Sequence, residues 1–258
     1  MLDDSSKPPE ASTRITWGPW LGVIYAVAIF LAAQVLASFI VAIYPYTRGW
    51  SSAHIESWLS SSTFAQFWYV LFAEALTFGG IFIFLRYRKS SLRAIGWRGL
   101  KLKDVAYALV GFGVYFVLYA GLLTVLAHLI PRLNINQHQD LGFSNTVGGI
   151  ELVATFVSLV VLPPLVEETV FRGFLYSGLK NKLPVIWAAI ITSLLFASAH
   201  LQFGNGKPLL WVAAVDTFTL SLVLCYLRDK TGGLWAGIGV HALKNGIAFV
   251  SLFLLHVR

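Results

Sequence analysis

Seven stretches of this chain are apolar for about as long as a helix must be to cross a hydrocarbon core of roughly 30 Å. They lie near Trp20 to Ile43, Phe64 to Leu85, Val105 to Ile130, Ile150 to Leu179, Pro184 to Phe203, Leu209 to Leu227 and Leu234 to Leu255. Within lipid every backbone N–H and C=O needs a partner inside the protein, so only helices and closed barrels span. Unbroken apolar runs of this length specify helices. The expectation is an all-α, polytopic transmembrane helix bundle of about seven to eight spans, an eighth arising only if one run is split.

Composition agrees. Of 258 residues 57% are apolar and 12% charged, where a soluble domain carries about 25% charged. The net charge of +7 would suggest nucleic acid on a polar surface, but the Lys and Arg fall between apolar runs, as in cytoplasmic loops, so no nucleic-acid partner is expected. Cys225 is the single cysteine, which leaves no disulfide framework and no thiolate metal site. The polar start reads as a short tail, residues 1–16, and residues 17–258 as one transmembrane domain without internal repeats. With that tail in the cytoplasm, thirteen basic residues face inside, among them Lys7, Arg88, Lys103, Lys180 and Arg228. Four face outside, namely Arg48, Arg132, Lys207 and Arg258. The positive-inside bias therefore sets the N-terminus in the cytoplasm.

One run breaks the apolar rule. Pro163 to Phe174, PPLVEETVFRGF, carries Glu167, Glu168 and Arg172, although each charge costs about 2.5 to 3.5 kcal/mol at the centre of a spanning helix. Glu168 and Arg172 are four apart and can pair on one helical face. Glu167 points about 100° away and is left over. A Glu–Arg pair alone serves helix packing as readily as function; the extra carboxylate tips the reading toward function. Phe196 and His200 share a face near the end of the fifth run, and His241 and Asn245 stand at i and i+4 on the last. Each alone is ordinary helix-packing polarity. Measured along the helices from the basic loops at about 1.5 Å per residue, Glu167, His200 and His241 reach broadly similar depth, so convergence is expected. Asp216 and Glu74 are also intramembrane; Glu74 reads as a pairing or packing residue, and Asp216 either pairs with a neighbour such as Lys244 or supports a histidine of the cluster.

The set VEETVFRGFLY, LLFASAHLQ and GLWAGIGVHALKNGIAF resembles the EExxxR, FxxxH and HxxxN motifs of the CPBP family, the CAAX prenyl proteases and bacteriocin-processing or immunity proteins. The resemblance covers about residues 150–250. It implies an intramembrane endopeptidase, with Glu167 activating water, His200 helping to hold that water, His241 and Asn245 binding the oxyanion, and Glu168, Arg172 and Phe196 in support. Glu167, His200 and His241 also suit a divalent metal such as Zn with an open position for water, whereas Asn is a poor zinc ligand and no HExxH is present. A metalloprotease-class site is the expectation, with a metal-free, glutamate-activated water as the alternative. The implied partners are membrane lipid and a membrane-anchored peptide or protein, prenylated or leader-like, and the compact chain suits a bacterial cytoplasmic membrane. Two other classes compete: a proton-coupled transporter using the same ionisable groups as a relay, and a non-catalytic immunity or scaffold protein of the same fold.

Overall fold

The computed structural model describes residues 14–137, 139, 141–202 and 208–256. It is 76% helical, with no strand among the described residues. The helices are α1 (Pro19–Thr47), α2 (Ser52–Ser61), α3 (Thr63–Tyr87), α4 (Leu102–Leu129), α5 (Ile150–Lys180), α6 (Val185–Ala199), α7 (Trp211–Thr231) and α8 (Trp235–Leu254). All but α2 and α6 are long and apolar enough to cross a membrane. Their outward faces expose large apolar side chains such as Ile24, Leu31, Val110 and Val117, as a lipid-facing surface requires. Most of the tail expected at residues 1–16, together with Lys7, Lys207 and Arg258, lies outside the described residues.

One expectation about the spans changes. The fifth run forms a helix of only 15 residues, about 22 Å long at 1.5 Å per residue, which is short of a full crossing. It stops at His200, whose backbone leaves the helix at φ −98° and ψ 0°. The fourth run, counted as one crossing despite its charged stretch, stays helical through it. It is helical for 31 residues, with π-helical turns at Val157–Val161 and Thr169–Leu175. Pro163 and Pro164 supply no N–H to the carbonyls one turn earlier, and the first π turn sits there. In an α-helix the partner lost to Pro163 would serve Leu159 O. That oxygen instead accepts from Asn245 Nδ2 at 2.8 Å, so α8 completes the backbone bonding of α5.

Two larger clusters make up most of the core. In one, Trp17 stacks on Phe174 at 4.9 Å and meets Phe84 edge-on, and its indole N–H donates to Phe174 O at 3.2 Å. Gly178 admits the ring, since a Cβ there would lie 2.5 Å from Trp17 Nε1. The start of α1 is thereby fastened to the end of α5. The other gathers Phe196, Leu220, Leu224, Leu227 and Val240 between α4, α6, α7 and α8. At the same end of the bundle, Arg98 is bidentate to Asp104 at 2.7 and 2.6 Å and donates to Thr231 O at 3.0 Å, tying the α3–α4 loop to the α7–α8 turn.

Candidate active site

Glu168 lies buried where α5 crosses α8. Its Oε1 accepts from Arg172 Nη1 at 2.8 Å and from His241 Nδ1 at 3.2 Å. An ionised carboxylate can only accept, so Nδ1 carries the proton and Nε2 is turned to the other side. The close crossing depends on Gly237, four residues before His241 and on its face: a Cβ there would stand 3.1 Å from Glu168 Oε2. The Arg172 guanidinium lies over the Phe196 ring at 4.5 Å, a favourable cation–π placement. Phe196 in turn contacts the rings of His200 at 4.8 Å and His241 at 5.9 Å. It is the apolar hub through which α6 joins the cluster.

Glu167 occupies the neighbouring direction on α5. Its Oε2 is buried, accepts no hydrogen bond among the described residues, and stands 3.8 Å from His241 Nε2. That gap is too long for a direct hydrogen bond. The side chain is 21% exposed, so one of its faces is accessible. His200, at the end of α6, bonds Phe196 O through Nδ1 at 2.9 Å, which likewise leaves Nε2 outward. It is close enough to Glu167 and His241 to interact with both electrostatically. Glu167, Glu168, Arg172, Phe196, His200 and His241 are thus brought together from α5, α6 and α8. Asn245 stands one turn further along α8, with its amide on the Leu159 carbonyl.

Three features were not legible as part of the site. Tyr115 OH donates to Asp216 Oδ1, and Lys244 Nζ pairs with Asp216 Oδ2 at 3.0 Å, so the expected Asp216–Lys244 pair exists and is joined by a tyrosine of α4. Glu74, on α3, interacts electrostatically with Glu167. Gly237 carried the one available signal, a small residue a single turn before the histidine in GLWAGIGVHALKN. Nothing in the sequence singled out Tyr115.

The donor set answers the metal expectation in part. Glu167 Oε2 and His241 Nε2 face each other, but among the described residues no three His, Cys, Asp or Glu side chains are gathered closely enough to hold a metal ion. As arranged, Glu167, His200 and His241 do not fit a zinc site, which needs three such ligands and an open position.

Fold and site together define an integral membrane helical protein with a carboxylate–imidazole cluster buried among its spans. Residues 148–247 match the type II CAAX prenyl endopeptidase Rce1-like family, a stretch that contains Glu167, Glu168, Arg172, Phe196, His200, His241 and Asn245. An uncharacterized 24.3 kDa protein of Escherichia coli is 34% identical over 103 residues, which is 38% of this chain and 45% of that protein. The UPF0177 protein YxdF of Lactococcus lactis is 29% identical over 132 residues, 51% of this chain and 69% of that protein. The match therefore spans less than half the length of the Escherichia coli relative. No solved structure matches.

Proposed function

We propose that the protein is an intramembrane endopeptidase that hydrolyses a peptide bond of a membrane-associated substrate with a water activated by Glu167. The observation that carries this reading is the unbonded, buried Oε2 of Glu167 held 3.8 Å from an imidazole nitrogen whose ring is oriented by Glu168. Such a gap suits a single water hydrogen-bonded to both atoms. The water gives a proton to Glu167 as its oxygen attacks the scissile carbonyl, and the same proton then leaves with the amine when the C–N bond breaks. With Nδ1–H held by Glu168, a proton taken up from solvent at Nε2 lets His241 donate from that nitrogen to the oxyanion. The second N–H of Asn245 is the further oxyanion donor, and Nε2 of His200 helps to hold the water.

An apolar cavity of about 200 Å³ supports entry from the bilayer. It is lined by Val27 and Leu31 of α1, Phe171 of α5, and Leu195, Ser198 and Ala199 of α6, and it adjoins His200 through Ala199. An apolar side chain or a lipid group of the substrate suits it. The basic end of the bundle is assigned to the cytoplasmic face of a bacterial membrane on the loop-charge bias. Cysteines placed near Lys101 or Lys182 should resist a membrane-impermeant reagent added to intact cells while one near Arg132 labels; the inverse pattern overturns the assignment.

The decisive measurement is cleavage of membrane-embedded peptides by the reconstituted protein. Residues that act on one water lose most of their catalysis with the first deletion. His200→Ala plus His241→Ala should therefore be scarcely slower than either single change, and simple additivity of the losses would refute a common site. Chelator should leave turnover unchanged and elemental analysis should find no stoichiometric metal. Loss of both activity and metal on chelation would establish the zinc alternative. Proton-coupled transport without any cleavage would establish the relay, and neither activity the scaffold.

A further inference from the structure

We infer that the basic end of the bundle holds a binding pocket for a phosphate-bearing headgroup, centred on Arg228 and independent of the peptidase reading. A cavity of about 280 Å³ opens there, lined by Ile15 ahead of α1, Ala94 of the α3–α4 loop, Tyr176 and Lys180 of α5, and Arg228 and Asp229 of α7. Four separate segments meet at this point. The guanidinium of Arg228 is set by shape: it lies against Gly96, where a Cβ would fall 2.7 Å from its Cζ, and Gly96 has φ +98°, a conformation that favours glycine. Its Nε is buried and finds no acceptor among the described residues.

Asp229 does not fill that role. Its Oδ1 pairs with Lys180, and its Oδ2 accepts from Tyr176 OH at 2.7 Å. Asp229 also acts on Arg228 through space, opposed by Arg98, but Arg98 is already bidentate to Asp104. With Lys180 matching Asp229, Arg228 leaves the pocket one net positive charge. A guanidinium with donors to spare, beside an ammonium, is suited to an oxyanion that can accept several hydrogen bonds at once, and phosphate is the commonest such group.

Position selects the source. The pocket lies where α1 begins at Pro19, α5 ends at Lys180 and α7 ends at Thr231, the level at which the apolar spans give way to headgroups. Ile15 and Ala94 supply apolar wall for a glycerol backbone. The favoured ligand is the headgroup of an anionic phospholipid.

The test compares thermal unfolding of the full-length protein in nanodiscs of phosphatidylglycerol and of phosphatidylcholine, and in detergent with added inorganic phosphate. The wild-type protein should gain thermal stability in phosphatidylglycerol over phosphatidylcholine. Arg228→Gln should lose that gain, Lys180→Gln should lose part of it, and Lys103→Gln, an exposed charge at the same end outside the cavity, should keep it. A gain produced by inorganic phosphate in detergent and lost in Arg228→Gln would retain the pocket and assign it to soluble phosphate. If Arg228→Gln does not fold, the contrast between Lys180→Gln and Lys103→Gln decides. The inference is overturned if neither ligand stabilises the wild type, or if the pocket changes and Lys103→Gln behave alike, since that would reflect diffuse attraction to a basic surface.

Discussion

Glu167→Gln should lower peptide cleavage by about 10²–10⁴-fold, the contribution typical of a positioned general base, while the protein inserts and unfolds as the wild type does. The substitution keeps the shape of the side chain and removes its ability to take a proton. Its stability should be unaffected because Glu167 Oε2 holds no protein partner among the described residues and so nothing is orphaned when its charge goes. Measured turnover near the wild-type value would remove Glu167 from the chemistry. Glu167→Asp separates position from charge: it retains a base but withdraws it from His241, and should fall between the two.

Glu168→Ala and Arg172→Ala should behave in the opposite sense, destabilising the fold first. The pair is buried, with both side chains 1% exposed, and removal of one member of such a pair costs about 3–5 kcal/mol because the other charge is left without a partner. Losing Glu168 also frees the His241 ring from its carboxylate contact at Nδ1, so activity falls with stability. Replacing both residues by apolar ones of similar volume should recover much of the stability, as it often does for buried ion pairs, and none of the activity, since His241 remains unoriented. Unfolding in mixed micelles, measured for the singles and the double, reads the first effect and cleavage reads the second. Equal destabilisation of the double and the sum of the singles would mean the pair does not act as a unit.

The contrast between these two glutamates was partly legible beforehand. Adjacent carboxylates followed by Arg four residues after the second leave one paired and one unpaired on any helix, because 3.6 residues per turn separates Glu167 from Glu168 by about 100°. The π turn that follows at Thr169–Leu175 did not disturb that pairing. Ile150 to Leu179 stands as one span despite its charges, because a charge neutralised within its own helix does not force the backbone out of it. The reading of Pro184 to Phe203 as a full crossing failed because hydropathy does not register where a helix stops, and α6 ends at Ala199. That early end leaves His200 against the Phe196 ring, which also meets His241.

Residue type and spacing along the chain were sufficient for most of what depends on one helix at a time: six of the seven spans, the Glu168–Arg172 pair, the shared faces of Phe196 with His200 and of His241 with Asn245. What required the folded molecule is everything that passes between helices. Which nitrogen of His241 meets Glu168, the transfer of Asn245 to the carbonyl that Pro163 leaves unserved, the Tyr115–Asp216–Lys244 link and the approach of Glu74 to Glu167 all depend on crossing angle, rotation and axial offset. Those quantities are set by side chains far from the site, by Gly237 allowing α8 close to Glu168 and by Gly178 admitting Trp17 between α1 and α5. A helix carries its own periodicity in its sequence, whereas its rotation against a neighbour is a property of two surfaces packed together.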